Sequence, residues 1–255
     1  MIFGGQMGLH TANQMRVPGR PWVRMTGALA ILSVAAAVAA AQQAGSSDVD
    51  AMLAQARGEI RSFEKAGGKK DDPKHPVEKW VQALWAVYEQ SPRTADAPKA
   101  ASEAVHLLIH ADRFQEAYDR ADRVPPSDSA WVGISGVLLE AGLLQKDFTY
   151  FFRKLPSVFS SSTDATVRAA VQWNLGRVWL SQKQEEKAKA AFQAATEAAA
   201  DSAPGREAER QLYELLHLGP GQPAPLFSAA AMDGSPISLA AYHGKPVVIV
   251  FWSST

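Results

Sequence analysis

The chain has 255 residues, of which 47% are hydrophobic and 20% charged, enough for one or two globular domains. Its 26 basic and 26 acidic side chains cancel, so no global field draws it to nucleic acid or to an anionic membrane. Cysteine is absent, which excludes disulfides, thiolate metal sites and cysteine nucleophiles within these residues.

Arg16, Arg20 and Arg24 precede an apolar run from Ala28 to Val38 and the small residues Ala39-Ala40-Ala41. This is the basic, apolar, small-residue order of a secretory signal. Even counted from Met25 to Ala41 the apolar stretch has 17 residues, against about 20 for a membrane-spanning helix. Residues 1–41 are therefore expected to be a signal peptide cleaved after Ala41, with an uncleaved N-terminal anchor as the alternative. The protein is expected to be exported, periplasmic or secreted. The segment before Arg16 lacks periodicity, so Met15 or Met25 are alternative starts.

From Asp48 to His217 the sequence is a string of amphipathic helices broken by short polar or proline-bearing segments. Ser46 or Ser47 caps a first helix expected to reach about Ala66, and Gly67-Gly68-Lys69-Lys70-Asp71-Asp72-Pro73 ends it by glycine entropy and proline geometry. Further helices are expected over Val77–Gln90, Ala95–His110, Phe114–Arg123, Ser129–Leu143, Phe148–Phe159, Thr166–Ser181, Glu185–Ala200 and Gly205–His217. Leu175, Gly176 and Trp179, followed by Ala188, Phe192 and Ala195, resemble the large and small positions of a tetratricopeptide repeat. Gly176 and Ala188 would let two helices approach closely while Leu175, Trp179 and Phe192 fill the space beside them. Trp173 falls one place late for that repeat, and its closing proline is missing. Asp112 to Ala117, with Ala121, resembles the same inter-helix turn, and Ala117 lies 71 residues before Ala188, about two periods. Between them Ser135-Gly136 and Leu139 mark an intermediate first helix, with Phe148 and Phe152 standing where small and aromatic residues are expected. A tetratricopeptide-like domain over residues 48–217 is preferred to an unrelated helical bundle.

At Leu218 the chemistry changes. Gly219-Pro220-Gly221 stops the last helix, and Phe227–Ala231 and Ile237–Leu239 flank the turn Met232-Asp233-Gly234-Ser235 as a hairpin. Val247-Val248-Ile249-Val250-Phe251-Trp252 is apolar without alternation, as in a strand buried on both faces. Residues 220–255 resemble the opening of the redoxin branch of the thioredoxin fold, which includes the TlpA and ResA oxidoreductases and the alkyl-hydroperoxide-reductase group. The matching string is Gly221, Pro223-Ala224-Pro225, Phe227, Asp233-Gly234, Leu239, Tyr242, Gly244-Lys245-Pro246, Val247-Val248 and Phe251-Trp252-Ser253-Ser254-Thr255. The fold class implied is mostly α, followed by the incomplete start of an α/β thioredoxin-like fold.

In that family a Cys-x-x-Cys follows at a helix N-terminus, where the dipole and free N–H groups stabilise the attacking thiolate. The resemblance places its first cysteine immediately after Thr255. The sequence therefore reads as a piece of an exported thiol-disulfide oxidoreductase, inactive as given, acting on disulfide-bearing or dithiol proteins. A peroxiredoxin-type antioxidant and a non-catalytic partner-binding repeat protein are the alternatives. No residue present is assigned a catalytic, cofactor or metal role, and a protein or peptide partner in the helical groove is the remaining expectation.

Other features read as structural. His106 and His110 stand four apart on a helix, but Leu107 occupies the place of a zinc protease's glutamate, so a helix-face role is preferred to a metal. Gly133-Ile134-Ser135-Gly136 lacks the spacing and preceding strand of a nucleophile elbow. Trp80, Trp85, Trp131, Trp173 and Trp179 read as helix packing, Lys69-Lys70 and Lys183–Lys189 as solvated faces, and Lys245 as a turn residue before a buried strand.

Overall fold

A computed structural model describes residues 49–90 and 94–250. The expected signal segment, the Ser46 or Ser47 cap and the terminal Phe251–Thr255 lie outside the described residues. Within them the chain is mostly helical: α1 Val49–Lys65, α2 Val77–Gln90, α3 Asp96–His110, α4 Phe114–Asp122, α5 Trp131–Gln145, α6 Thr149–Ser161, α7 Ala165–Ser181, α8 Glu185–Ala199 and α9 Ala203–His217. Most ends fall within two residues of the sequence expectation. α9 starts earlier than expected because Ser202 caps it, accepting the Gly205 N–H at 3.1 Å, and because Pro204 is tolerated in the first turn. α7 is capped by Asp164, whose carboxylate accepts the Thr166 and Val167 N–H groups. No helix of the described residues is long and apolar enough to cross a membrane.

The helices α3–α4, α5–α6 and α7–α8 form hairpins with one recurrent turn. Asp112, Lys146 and Lys183 each adopt left-handed backbone, at φ of 59°, 55° and 60°, and they stand 34 and 37 residues apart. After each, an N–H reaches back to close the helix end: Arg113 to the Leu108 carbonyl, Asp147 to Gly142 and Gln184 to Trp179, at 2.9, 3.0 and 2.8 Å. This is the Schellman closure, which satisfies carbonyls that a helix terminus leaves open. Gly67, at φ 87°, ends α1 in the same way, with the Gly68 N–H on the Phe63 carbonyl at 3.0 Å.

Burial follows the turns. Five, nine and twelve residues after the left-handed position, every hairpin buries its second helix: Ala117, Ala121 and Val124; Phe151, Leu155 and Val158; Ala188, Phe192 and Ala195. On the first helices, the residues five, seven and twelve before it are buried alike: Leu107, Val105 and Ala100; Ala141, Leu139 and Ile134; Val178, Gly176 and Val171. The helical hairpin is therefore a structural repeat. In the middle unit the inward residues are Phe151 and Leu155, not Phe148 and Phe152 as the sequence suggested. Phe148 instead packs over Gly142, where an added Cβ would meet its ring at 2.4 Å.

The Gly176 reading holds in its packing reason. An added Cβ would lie 2.3 Å from the Phe192 ring, and the tilted Trp173 ring packs on the same ring with centroids 5.2 Å apart. Later residues of α7 meet earlier ones of α8, with Lys187 over Trp179, so the pair is antiparallel. α7 belongs to two cores. Its Val167, Val171 and Val178 join the large cluster built by α1–α6, while Trp173, Trp179 and Leu180 pack on Phe192, Ala195 and Ala208 of α8 and α9.

After α9 the chain is mostly exposed. Strands β1 (Ser228–Ala230) and β2 (Pro236–Ser238) pair antiparallel, Ala229 facing Ile237, around the expected Asp-Gly turn. Asp233 accepts the Ser235 N–H at 2.9 Å and Gly234 takes φ 81°. The expected buried strand is not formed at 247–250: Val247, Val248, Ile249 and Val250 are exposed and unpaired. A strand needs a hydrogen-bonded neighbour, and among the described residues none lies beside them.

Candidate functional site

The repeat brings residues far apart in sequence onto one face. Six places before each left-handed turn residue stand Arg61 of α1, His106 of α3, Glu140 of α5 and Arg177 of α7. The neighbouring first helices α3, α5 and α7 pack side by side, so these positions form a ladder of polar groups. Small residues set the spacing: a Cβ on Gly133 would lie 2.7 Å from Ser102 across the α3–α5 contact.

At the centre of the ladder His106 Nε2 lies 3.0 Å from Glu140 Oε2, and His110 Nε2 lies 3.9 Å from the other oxygen of that carboxylate. The imidazoles stand one helical turn apart with ring centroids at 4.3 Å. Glu103 approaches the other ring nitrogen of His106, Nδ1, at 3.7 Å and pairs with Arg57 of α1 at 3.8 Å. One ligating atom from each of His106, His110 and Glu140 can be chosen so that all lie within 4.8 Å of one another. Sequence reasoning singled out both histidines but missed the glutamates. Glu140 follows His106 by 34 residues, one repeat period, and that spacing was the signal available.

Beside the ladder, α1, α3 and the 67–76 loop enclose a cleft of about 470 Å³ lined by Arg57, Arg61, Lys70, His75, Glu103 and His106 among others. His75 is 6% exposed and packs edge-on against Phe63. Its Nδ1 accepts the Val77 N–H at 3.2 Å, so in the neutral ring the proton sits on Nε2. That Nε2 has no hydrogen-bond partner; Glu64 stands 4.0 Å away.

The two histidines titrate in opposite senses. Glu103 and Glu140 beside His106 raise its pKa, whereas burial lowers that of His75. Protonated His106 is favoured in the fold, so its stabilisation is complete below the ordinary histidine range and is lost as pH rises through the raised value. Neutral His75 is favoured, so its contribution is present above that range and is lost as pH falls through it. Urea midpoints measured from pH 5 to 8 should reveal both: His106→Gln flattens the alkaline decline, and His75→Gln removes part of the acid decline. A pH profile unchanged in both variants would contradict these environments.

The other singled-out residues are structural. Ser135 lies buried in α5 and accepts from Asn174 Nδ2 of α7 at 2.9 Å, tying two first helices together. Trp80, Trp85 and Trp131 are buried, and their indole N–H groups donate to Glu59, Glu89 and the Pro125 carbonyl. Trp173 and Trp179 are half-buried beside Phe192 and Phe152. Lys70 pairs with Asp112 and Lys189 with Glu185 and Glu186 at the surface, and Lys245 sits in the turn after Tyr242. In comparisons with known proteins, no family model, curated sequence or solved structure matches this chain.

Proposed function

We propose that this chain is the exported helical-repeat region and leading thioredoxin-fold segment of a thiol-disulfide oxidoreductase of the redoxin type. The observation that carries the reading is the ordered string from Gly221 through Pro223-Ala224-Pro225, Asp233-Gly234 and Gly244-Lys245-Pro246 to Phe251-Trp252. The Asp-Gly hairpin and the left-handed Gly244, at φ 81°, are compatible with that opening. Within this proposal the helical hairpins are tetratricopeptide-like and hold the protein substrate. The chemistry belongs to a Cys-x-x-Cys at the next helix N-terminus, where a stabilised thiolate attacks a disulfide sulfur and the second cysteine resolves the mixed disulfide.

The test is the coding sequence past Thr255. Codons for Cys-x-x-Cys directly after it, and insulin-disulfide reduction by the protein so encoded, are the expected results. Residues 1–255 have no cysteine and should give no reduction above background. A stop codon, or an open frame without the motif, removes the redox proposal. In that case the charged ladder favours the second reading, a repeat protein that binds a partner and has no redox chemistry of its own.

A further inference from the structure

We propose that His106, His110 and Glu140 form a binding site for a divalent transition-metal ion, with Zn²⁺ the natural occupant. Two imidazoles at i and i+4 present nitrogens on one helical face, and the neighbouring first helix supplies a carboxylate to the same point. An ordinary ion pair needs one histidine for one carboxylate. Here His106 Nε2 is hydrogen-bonded to one oxygen of Glu140 at 3.0 Å and His110 Nε2 lies 3.9 Å from the other.

The donor set is the one zinc accepts when it keeps an open position: two neutral imidazoles and a carboxylate, leaving a fourth place for water or a partner's side chain. Ligand atoms around a tetrahedral zinc lie about 3.3 Å apart, from bond lengths near 2.0–2.1 Å. The separations here reach up to 4.8 Å, so closure needs only side-chain rotation. The His110 side chain is 59% exposed and that of Glu140 38%, which leaves both free to turn. Glu103, on the other ring nitrogen of His106, supplies the outer carboxylate that typically orients a metal-bound histidine. Glu103 is thus a positioning residue rather than a ligand. Leu107, which excludes the zinc-protease motif, is no obstacle, because the carboxylate comes from α5 instead of the same helix.

The experiment is Zn²⁺ titration of the full chain, freed of metal with a chelator, at pH 7.5 and followed by calorimetry. One equivalent is expected to bind. His106→Ala, His110→Ala and Glu140→Gln are each expected to weaken it at least tenfold, while His217→Ala and His243→Ala leave it unchanged. Because alanine at half-buried His106 removes packing as well as a ligand, a second reading uses the unaltered protein. Its His106 and His110 ring resonances should shift on adding Zn²⁺, and those of His75 and His217 should not. Absence of one-equivalent binding, or affinity kept within threefold in both histidine variants, overturns the site. Neither result bears on the coding sequence past Thr255, so this site and the redox reading stand or fall separately.

Discussion

Phe192→Ala is expected to destabilise the helical region by about 3–5 kcal/mol, the range for deleting a fully buried phenylalanine. Phe192 is 0% exposed and forms the centre of the α7–α9 cluster, with Ala188 and Ala195 on its own helix, Ala208 opposite and Trp173 against its ring. Gly176 makes the prediction sharper. In a helix interior Gly→Ala ordinarily gains about 0.8–1 kcal/mol. At Gly176 the new Cβ would lie 2.3 Å from the rigid, enclosed Phe192 ring, and overpacking of that kind costs about 1–3 kcal/mol. Gly176→Ala should therefore destabilise the native chain yet stabilise the Phe192→Ala variant. Urea unfolding of the four proteins in the cycle checks the reversal of sign. Additivity of the two substitutions within about 0.5 kcal/mol would show that the two residues do not touch.

That pair was legible before any coordinates because glycine opposite phenylalanine is a chemical statement about distance. The turn at Asp112 was legible too, because Asp112 to Ala117 resembles the inter-helix turn of the same repeat. Lys146 and Lys183 take the same left-handed conformation. Matching Ser135-Gly136 and Leu139 to Leu175-Gly176 and Trp179 sets the middle repeat three residues early, because Leu139 is the residue that stands where Gly176 does, and so gives Phe148 and Phe152 the places that Phe151 and Leu155 hold. The histidine ladder was half legible for a related reason. His106 and His110 share a helix and declare themselves by spacing four, but Glu140 reaches them only through the repeat. The 34-residue spacing, one repeat period, is the sequence mark that relates His106 to Glu140, and the backbone turns at Asp112 and Lys146 show that both stand at the same place in their repeats. The unpaired Nε2 of His75 was beyond sequence reasoning altogether, because it depends on which ring nitrogen the Val77 N–H engages. The run from Val247 to Val250 fails differently: its composition suits a covered strand, and pairing depends on a neighbour that composition cannot supply.

Trp131→Ala is expected to cost about 3–5 kcal/mol in the larger cluster. Trp131 is 0% exposed, and its indole N–H donates to the Pro125 carbonyl at 2.9 Å. Its surroundings also fix where α5 begins. Asp128 accepts the Ala130 N–H and the Tyr88 hydroxyl, both at 2.8 Å, so the start of α5 is tied to α2. Trp131→Phe separates the two contributions. It keeps much of the buried ring but removes the indole donor, and because the Pro125 carbonyl still accepts the Asp128 N–H at 2.9 Å the loss is that of one net hydrogen bond, about 0.5–1.5 kcal/mol. The alanine variant should therefore be clearly weaker than the phenylalanine variant. Equal losses would assign the whole effect to the hydrogen bond. A second consequence follows from α7, which lends Val171 and Val178 to the cluster of Trp131 and Trp173 and Trp179 to that of Phe192. Repeats coupled through such shared helices unfold together when the interface outweighs the intrinsic instability of each unit. Trp131→Ala and Phe192→Ala should each lower one common midpoint, seen alike by helicity and by tryptophan fluorescence. If the two probes separate in either variant, α7 does not couple the clusters, and the helical region behaves as two folding units instead of one.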